Sequence, residues 1–258
     1  VVFFLASFSA RRAEHLKNLR RGLLPAMITV SVPAMLILAG RDLGIPVTIG
    51  VTALLMVFVA GARILHVAAT AVAALALVLG LIVIEPYRLE RLTIFIDPWK
   101  DPSRSGWQII QSLAALGSGG IWGVGPGRGL QKYLYLPAAH NDFVFSIIGE
   151  EMGLVGTIII SLAFASLTVV GIRIALKAKN REASFLALGI SFIISITALI
   201  NMAVATDMLP TKGITLPLVS YGGSSLLTNM IAIGILMNIA RVSLEPETLQ
   251  SMAAVGKT

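Results

Sequence analysis

Residues able to do chemistry concentrate in the stretch 117–153, GSGGIWGVGPGRGLQKYLYLPAAHNDFVFSIIGEEMG. It is glycine-rich, then aromatic, and then sets His140, Asn141 and Asp142 in a row. A carboxylate such as Asp142 can take a proton from a hydroxyl. His140 can hold a phosphate or simply rest at a membrane interface. Arg128 and Lys132 stand beside the glycine turns, where cations suit an anionic substrate. A second polar stretch, TDMLPTKGITLPLVSYGGSSL (206–226), offers Lys212 and the glycines Gly222 and Gly223 between Ser220 and Ser224. Backbone N–H groups at a helix start suit a phosphate. The same glycines read equally well as a tight turn before closely packed helices.

Plainer readings stand beside several of these. Asp142 precedes the apolar run FVFSII and could be the N-cap of a helix there. Capping and catalysis are compatible, since a cap fixes the carboxylate, and acids near a membrane core are costly and tend to be functional. Glu150 and Glu151 are adjacent, so on a helix they diverge by about 100° and form no natural dyad. One of them can point inward and pair with an arginine. Asp207 and Lys212 could form an ion pair that withdraws Lys212 from chemistry. GVGPGRG fails as a nucleotide loop: Arg128 stands where a third glycine is needed, no strand precedes it, and no Walker lysine follows.

The elements that must position these residues are apolar helices. Of 258 residues, 56% are hydrophobic and 13% charged. Soluble domains carry about a quarter charged residues, and the mean hydropathy of +0.88 points the same way. The chain therefore reads as an all-α polytopic transmembrane helical bundle, a single integral membrane domain over 1–258. The net charge of +7 sits mostly in short inter-helix loops, so topology explains it and nucleic acid is not expected as a partner. Cysteine is absent, and the three histidines are scattered, so neither thiol chemistry nor a zinc site is expected.

Six full spans are expected, at 23–40, 46–62, 67–84, 154–176, 184–205 and 222–241, after a partial span at 1–9. RRAEHLKNLRR (11–21), Arg63 with His66, Lys177 to Arg181, and the tail from Arg241 (242–258) then all fall on the cytoplasmic side. Two external loops remain, 85–152 and 206–221. Within the first, YRLERLTIFI reads as an amphipathic interfacial helix, with Arg88 and Arg91 anchored to headgroups and Tyr87, Phe95 and Trp99 in the headgroup zone. GWQIIQSLAALGSGG fits a surface or re-entrant helix, and its Gln111 joins the substrate-binding candidates.

Two long segments carry a resemblance. DPWKDPSRSGWQIIQSLAALGSGGIWGVGPGRGLQKYLYLPAAHNDFVFSIIGEEMGLVG and NMAVATDMLPTKGITLPLVSYGGSSLL resemble the SEDS family of bacterial cell-wall polymerases (FtsW, RodA, SpoVE). The DPW, WGVG and GRGLQKYLYLP patterns are closer to FtsW than to RodA. The resemblance implies a ten-helix protein with both termini cytoplasmic, of which segment 1–9 is the fourth helix and the first three helices are absent. It implies a multi-pass protein of the bacterial inner membrane with an external active site.

The implied activity is peptidoglycan glycosyltransfer in cell division. Lipid II would be joined to a glycan on undecaprenyl pyrophosphate by an inverting β-1,4 transfer. The family's essential acid lies in a motif resembling LPExHTDF, and the matching position in LPAAHNDF is Asp142, with Ala138 in place of the glutamate and Asn141 in place of the threonine. Leu134 occupies a further position that is acidic in some FtsW proteins. Asp142 would be the general base. Lys212, Arg128, Lys132 and the SYGGSS amides would hold the leaving pyrophosphate. No cofactor is firmly implied; a divalent cation, Mg or Mn, could share that charge, and the sequence offers no dedicated metal cage. The implied partners are a monofunctional penicillin-binding protein and other divisome or elongasome proteins. A lipid II flippase and a non-catalytic scaffold that recruits a transpeptidase are the alternatives.

Overall fold

In the computed structural model the backbone is described for all residues but 41, 103–105, 132–139 and 256–258, and side chains for those residues other than 14, 21 and 244–255. Every regular element among the described residues is helical. The helices are α1 (Val2–Arg12), α2 (Leu24–Ala39), α3 (Gly44–Val59), α4 (Ile64–Ile84), α5 (Pro86–Ile96), α6 (Trp107–Gly119), α7 (Val144–Lys177), α8 (Arg181–Ala205) and α9 (Gly223–Val255). Among the described residues, four stretches are long and apolar enough to cross a membrane: α4, α7, α8 and Gly223–Ser243 of α9. The expected spans 23–40 and 46–62 fold as the shorter apolar helices α2 and α3. Lys132 and Arg104 lie outside the described residues.

The core gathers on α8, whose buried face carries Ala187, Ile190, Ile194, Ala198 and Asn201. On one side it meets α1 and α3, with Leu5, Met56 and Val57 against Phe185 and Phe192. On the other it meets α7 and α9, with Ala175, Ile194 and Leu236 in one cluster. Small residues set the spacing, as expected where helices pack without a hydrophobic driving force between them. A Cβ on Gly171 of α7 would fall 1.9 Å from Ser191 Oγ of α8. One turn away along the same interface, Thr168 and Ser195 share a hydroxyl hydrogen bond of 2.5 Å. In contrast, α4 buries none of its residues.

The polar region that precedes the second half of the chain is built on α7. Its helix breaks at Gly153 (φ 66°, ψ −161°). The segment 144–152 before the break packs against α6. Their backbones approach so closely that a Cβ on Gly119 would lie 1.9 Å from the Gly149 carbonyl oxygen. Ser112 of α6 shares a hydrogen bond with Ser146 of α7 and donates to the carbonyl of Ala205 at the end of α8. The glycine turns lie against the break. Val124 and Gly125 donate to the carbonyls of Glu150 and Glu151, and Leu154 donates to Gly120.

Candidate active site

Asp142 sits at the last turn before α7, and its position is fixed through the backbone. Asn201 of α8 donates from one Nδ2 to the Asp142 carbonyl at 2.8 Å and to the Ile214 carbonyl at 2.6 Å. The buried amide thus ties the catalytic candidate to the loop that carries Lys212. Two further bonds close the seam: Ser220 Oγ donates to the Asn141 carbonyl, and Tyr221 N–H donates to the His140 carbonyl at 2.9 Å. Phe143 and Ile147 bury against Val204 beneath. The Asp142 carboxylate is left out of this framework. Helix α7 takes Phe143 as its N-cap with no side-chain cap bond, so the expected capping role falls away. The chain leaves Asp142 one residue too early for its oxygen to reach the helix amides.

The carboxylate faces the 206–221 loop beside a cavity. A Cβ on Gly213 would lie 3.4 Å from Asp142 Oδ2. The cavity, about 630 Å³, is lined by Asp42 from the α2–α3 turn, Gly44 at the start of α3, Glu85 between α4 and α5, Tyr87, Arg88 and Arg91 from α5, and Thr211, Lys212 and Gly213. Arg91 donates to the Thr211 carbonyl at 3.0 Å, bonds to the Tyr87 hydroxyl, and lies over the Tyr87 ring at 4.6 Å. Its expected task of headgroup anchoring is therefore replaced by a bracket between α5 and the lysine loop. Arg88 donates back to the Leu81 carbonyl at the end of α4.

Burial pushes the Asp142 carboxyl above its ordinary range; Arg91 pulls it part of the way back and Asp42 pushes it further up. Burial lowers the Lys212 ammonium, with Asp42 opposing and Arg91 adding to that drop. A half-buried carboxylate whose pKa is raised is a stronger base than a free one and is suited to accept a proton from a hydroxyl. Cations facing the same space can hold a developing phosphate charge.

The other candidates divide. Lys212 lines the cavity beside which Asp142 lies. Arg128 does not: it is exposed on the glycine turn, which Glu150 and Glu151 hold elsewhere on α7. The expected pairing with an arginine does not describe Glu150. It is 3% exposed and accepts the backbone N–H groups of Leu130 and Gln131, while Glu151 accepts that of Gly127. Ser220 spends its hydroxyl on Asn141 and on the Leu216 N–H at 2.8 Å, so it braces the loop instead of facing a ligand. The His140 side chain is exposed, and its carbonyl is the part the fold uses. Gln111 is half-buried on α6 and does not line the cavity. Gly223 and Ser224 begin α9, beside the half-buried Gly222, so the expected helix start is present. Asp207 does not pair with Lys212: one of its carboxylate oxygens is buried without a partner, and its backbone sits at φ 57°.

Sequence reasoning missed Asp42, Arg91 and Asn201 as site residues. Asp42 carried a signal, an acid directly before an apolar helix, whereas the Arg91–Thr211 bond spans 120 positions and leaves none.

Comparison with known proteins matches the chain to one family. The family model for the FtsW, RodA and SpoVE cell cycle proteins covers residues 1–245. Stage V sporulation protein E of Bacillus subtilis is 43% identical over 243 residues, 94% of this chain and 66% of that protein. A probable peptidoglycan glycosyltransferase FtsW of Geobacter sp. (strain M18) is 41% identical, over 93% of this chain and 65% of its own length. The corresponding Escherichia coli protein (strain CFT073) is 45% identical, over 92% and 58%. The chain thus spans about two thirds or less of the length of these curated relatives.

Among solved structures, a chain of a peptidoglycan synthase complex that coordinates polymerization and crosslinking superposes with a TM-score of 0.70 at 27% identity, over 93% of this chain and 68% of that one. The rod shape determining protein RodA of Thermus thermophilus gives 0.57 at 24% identity, over 92% and 63%, a likeness of fold. The higher identity to FtsW and SpoVE agrees with the motif reading. With the family model matched along nearly the whole sequence, this chain belongs to the FtsW, RodA and SpoVE family of cell cycle proteins.

Proposed function

We propose that the whole protein is a peptidoglycan glycosyltransferase that polymerises lipid II during cell division, and that Asp142 is its general base. The observation that carries this is a half-buried carboxylate, held by its backbone and free of a capping bond, beside a cavity lined by Lys212 and Arg91. The curated names of the FtsW relatives support the same activity.

In the transfer, Asp142 takes the proton of the acceptor sugar's 4-hydroxyl. That oxygen forms a bond to the donor's anomeric carbon as the carbon's bond to pyrophosphate oxygen breaks on the opposite face. Undecaprenyl pyrophosphate leaves with the electron pair, and the centre inverts. One carboxylate suffices because no covalent glycosyl-enzyme is formed and the pyrophosphate leaves as a stabilised anion that needs no general acid. Lys212 faces the leaving group, and the amides at the start of α9 are further donors. Arg128 and Lys132 are assigned to the approach of the anionic substrate. The described residues contain no group of three or more His, Cys, Asp or Glu side chains that could cage a metal. A Mg or Mn ion would therefore arrive with the pyrophosphate as its main ligand, and no step is routed through it.

In this reading α2 and α3 also cross the bilayer, giving six spans and a partial one. Loops 85–152 and 206–221 lie outside and 242–258 inside, and the site opens on the external face of the inner membrane. A monofunctional penicillin-binding protein is the proposed partner. The test is full-length protein with its native transpeptidase in proteoliposomes carrying labelled lipid II. Glycan product is expected. Movement of lipid II without product would favour a flippase, and neither would favour a scaffold.

A further inference from the structure

The cavity holds a carboxylate that the transfer does not use. Asp42 ends the α2–α3 turn, where its Oδ1 accepts the Gly44 N–H at 2.7 Å and the Ile45 N–H at 3.4 Å. One oxygen thus binds the first turn of α3, which fixes the whole group. The turn is pressed against the lysine loop: a Cβ on Gly44 would meet Ile214 Cδ1 at 2.8 Å. Asp42 therefore cannot drift away from Lys212, and both line the same space.

The arrangement poses a chemical problem. Gly213, next to Lys212, is the residue that approaches Asp142 Oδ2. A lysine so placed would be expected to pair with Asp142. Pairing would stabilise the carboxylate anion and make it a poorer base. Yet Lys212 shares its cavity with Asp42 and Arg91, whose charges act on it in opposite senses, and Asp142 makes no cap bond.

We infer that Asp42 is a positioning residue that gives Lys212 an alternative counter-charge and so keeps the lysine off Asp142 until substrate pyrophosphate enters. The inference rests on the polymerase reading above. Other charged or titratable groups face this space: Glu85 between α4 and α5, Tyr87 and Arg88 from α5, and Arg91, which is held by Thr211. Arg41 lies outside the described residues. Loss of Asp42 frees Lys212 to turn toward Asp142, and removes a negative neighbour as well. Both changes favour the ionised Asp142. Loss of Arg91 removes a positive neighbour and acts in the opposite sense.

The test uses full-length protein with a carbodiimide, which labels carboxyl groups in their protonated form. Labelling at Asp142 is followed against pH by peptide mass spectrometry, beside lipid II polymerisation. For Asp42→Asn the labelling midpoint moves to lower pH, and kcat falls about three- to tenfold with KM little changed. For Arg91→Gln the midpoint moves up. Asp42→Glu, which keeps the charge, restores most of the rate. An Asp42→Asn midpoint that stays or rises overturns the inference, as does a shift of both variants in one direction. If Asp42→Asn fails to fold, the Arg91→Gln midpoint and Asp42→Glu rescue decide it. A chain that shows the labelling shifts yet makes no glycan leaves this inference standing and sinks the polymerase reading instead.

Discussion

Replacing Asn201 with alanine removes the tie between the two halves of the site. The side chain donates to two carbonyls, the part-buried one of Asp142 at 2.8 Å and the buried one of Ile214 at 2.6 Å. Each net hydrogen bond contributes about 1 kcal/mol, and each carbonyl left unsatisfied loses about 1 kcal/mol more. Against this, Asn201 Oδ1 is itself buried without a partner, so deleting it recovers roughly 1 kcal/mol. The balance is a destabilisation of about 3 kcal/mol, less than the roughly 5–15 kcal/mol that holds a typical domain together. The variant should therefore fold. Its defect should appear in catalysis, because a displacement of about 1 Å of a reacting group can cost roughly a hundredfold in rate. The assay is polymerisation of labelled lipid II by Asn201→Ala, with a melting curve on the same preparation. The expected result is a kcat lowered by about two orders of magnitude, a KM within a few-fold, and a modest fall in melting temperature. Full activity with an unchanged melt would refute the tie.

Two further outcomes follow from the same geometry. Gly153→Ala places a methyl 2.4 Å from the Ile121 carbonyl oxygen and 2.5 Å from the Gly123 nitrogen, at a φ of 66°. It should lower the melting temperature in a detergent-stability assay, with a penalty above about 2 kcal/mol. The pH dependence has a defined sign. Asp142 and Asp207 both titrate above their ordinary 3.8 because burial disfavours the charge. Between the ordinary and the raised values the folded state binds more protons than the unfolded one, so stability falls as pH rises through that window and is restored on acidification. Asp142→Asn should therefore melt at or above wild type at pH 7, and the wild-type acid limb of kcat/KM should lie above 3.8.

How much was legible in the sequence depends on the range of the interaction. Apolar runs of helical length marked most of the helices, and α5 formed where Tyr87 to Ile96 alternate charge and apolar side chains. Local motifs marked Asp142, Lys212 and the start of α9. What sequence could not supply was the pairing of distant segments. Glu150 looked like half of an acidic pair, and its task, holding the amides of residues 130 and 131, exists only once the glycine loop folds back on α7. Arg91 looked like a headgroup anchor until α5 met Thr211. Asp142 looked like a cap because its sequence neighbours are those of a cap. The helix begins at Val144 instead, and the bonds to Asn201 hold the preceding turn in another shape.

The most direct measurement is polymerisation by full-length Asp142→Asn protein, verified as folded by its melting curve and still associated with its transpeptidase. Loss of glycan product with retained lipid II binding is the result the general-base assignment requires. Glycan strands made at the wild-type rate by that variant would contradict it.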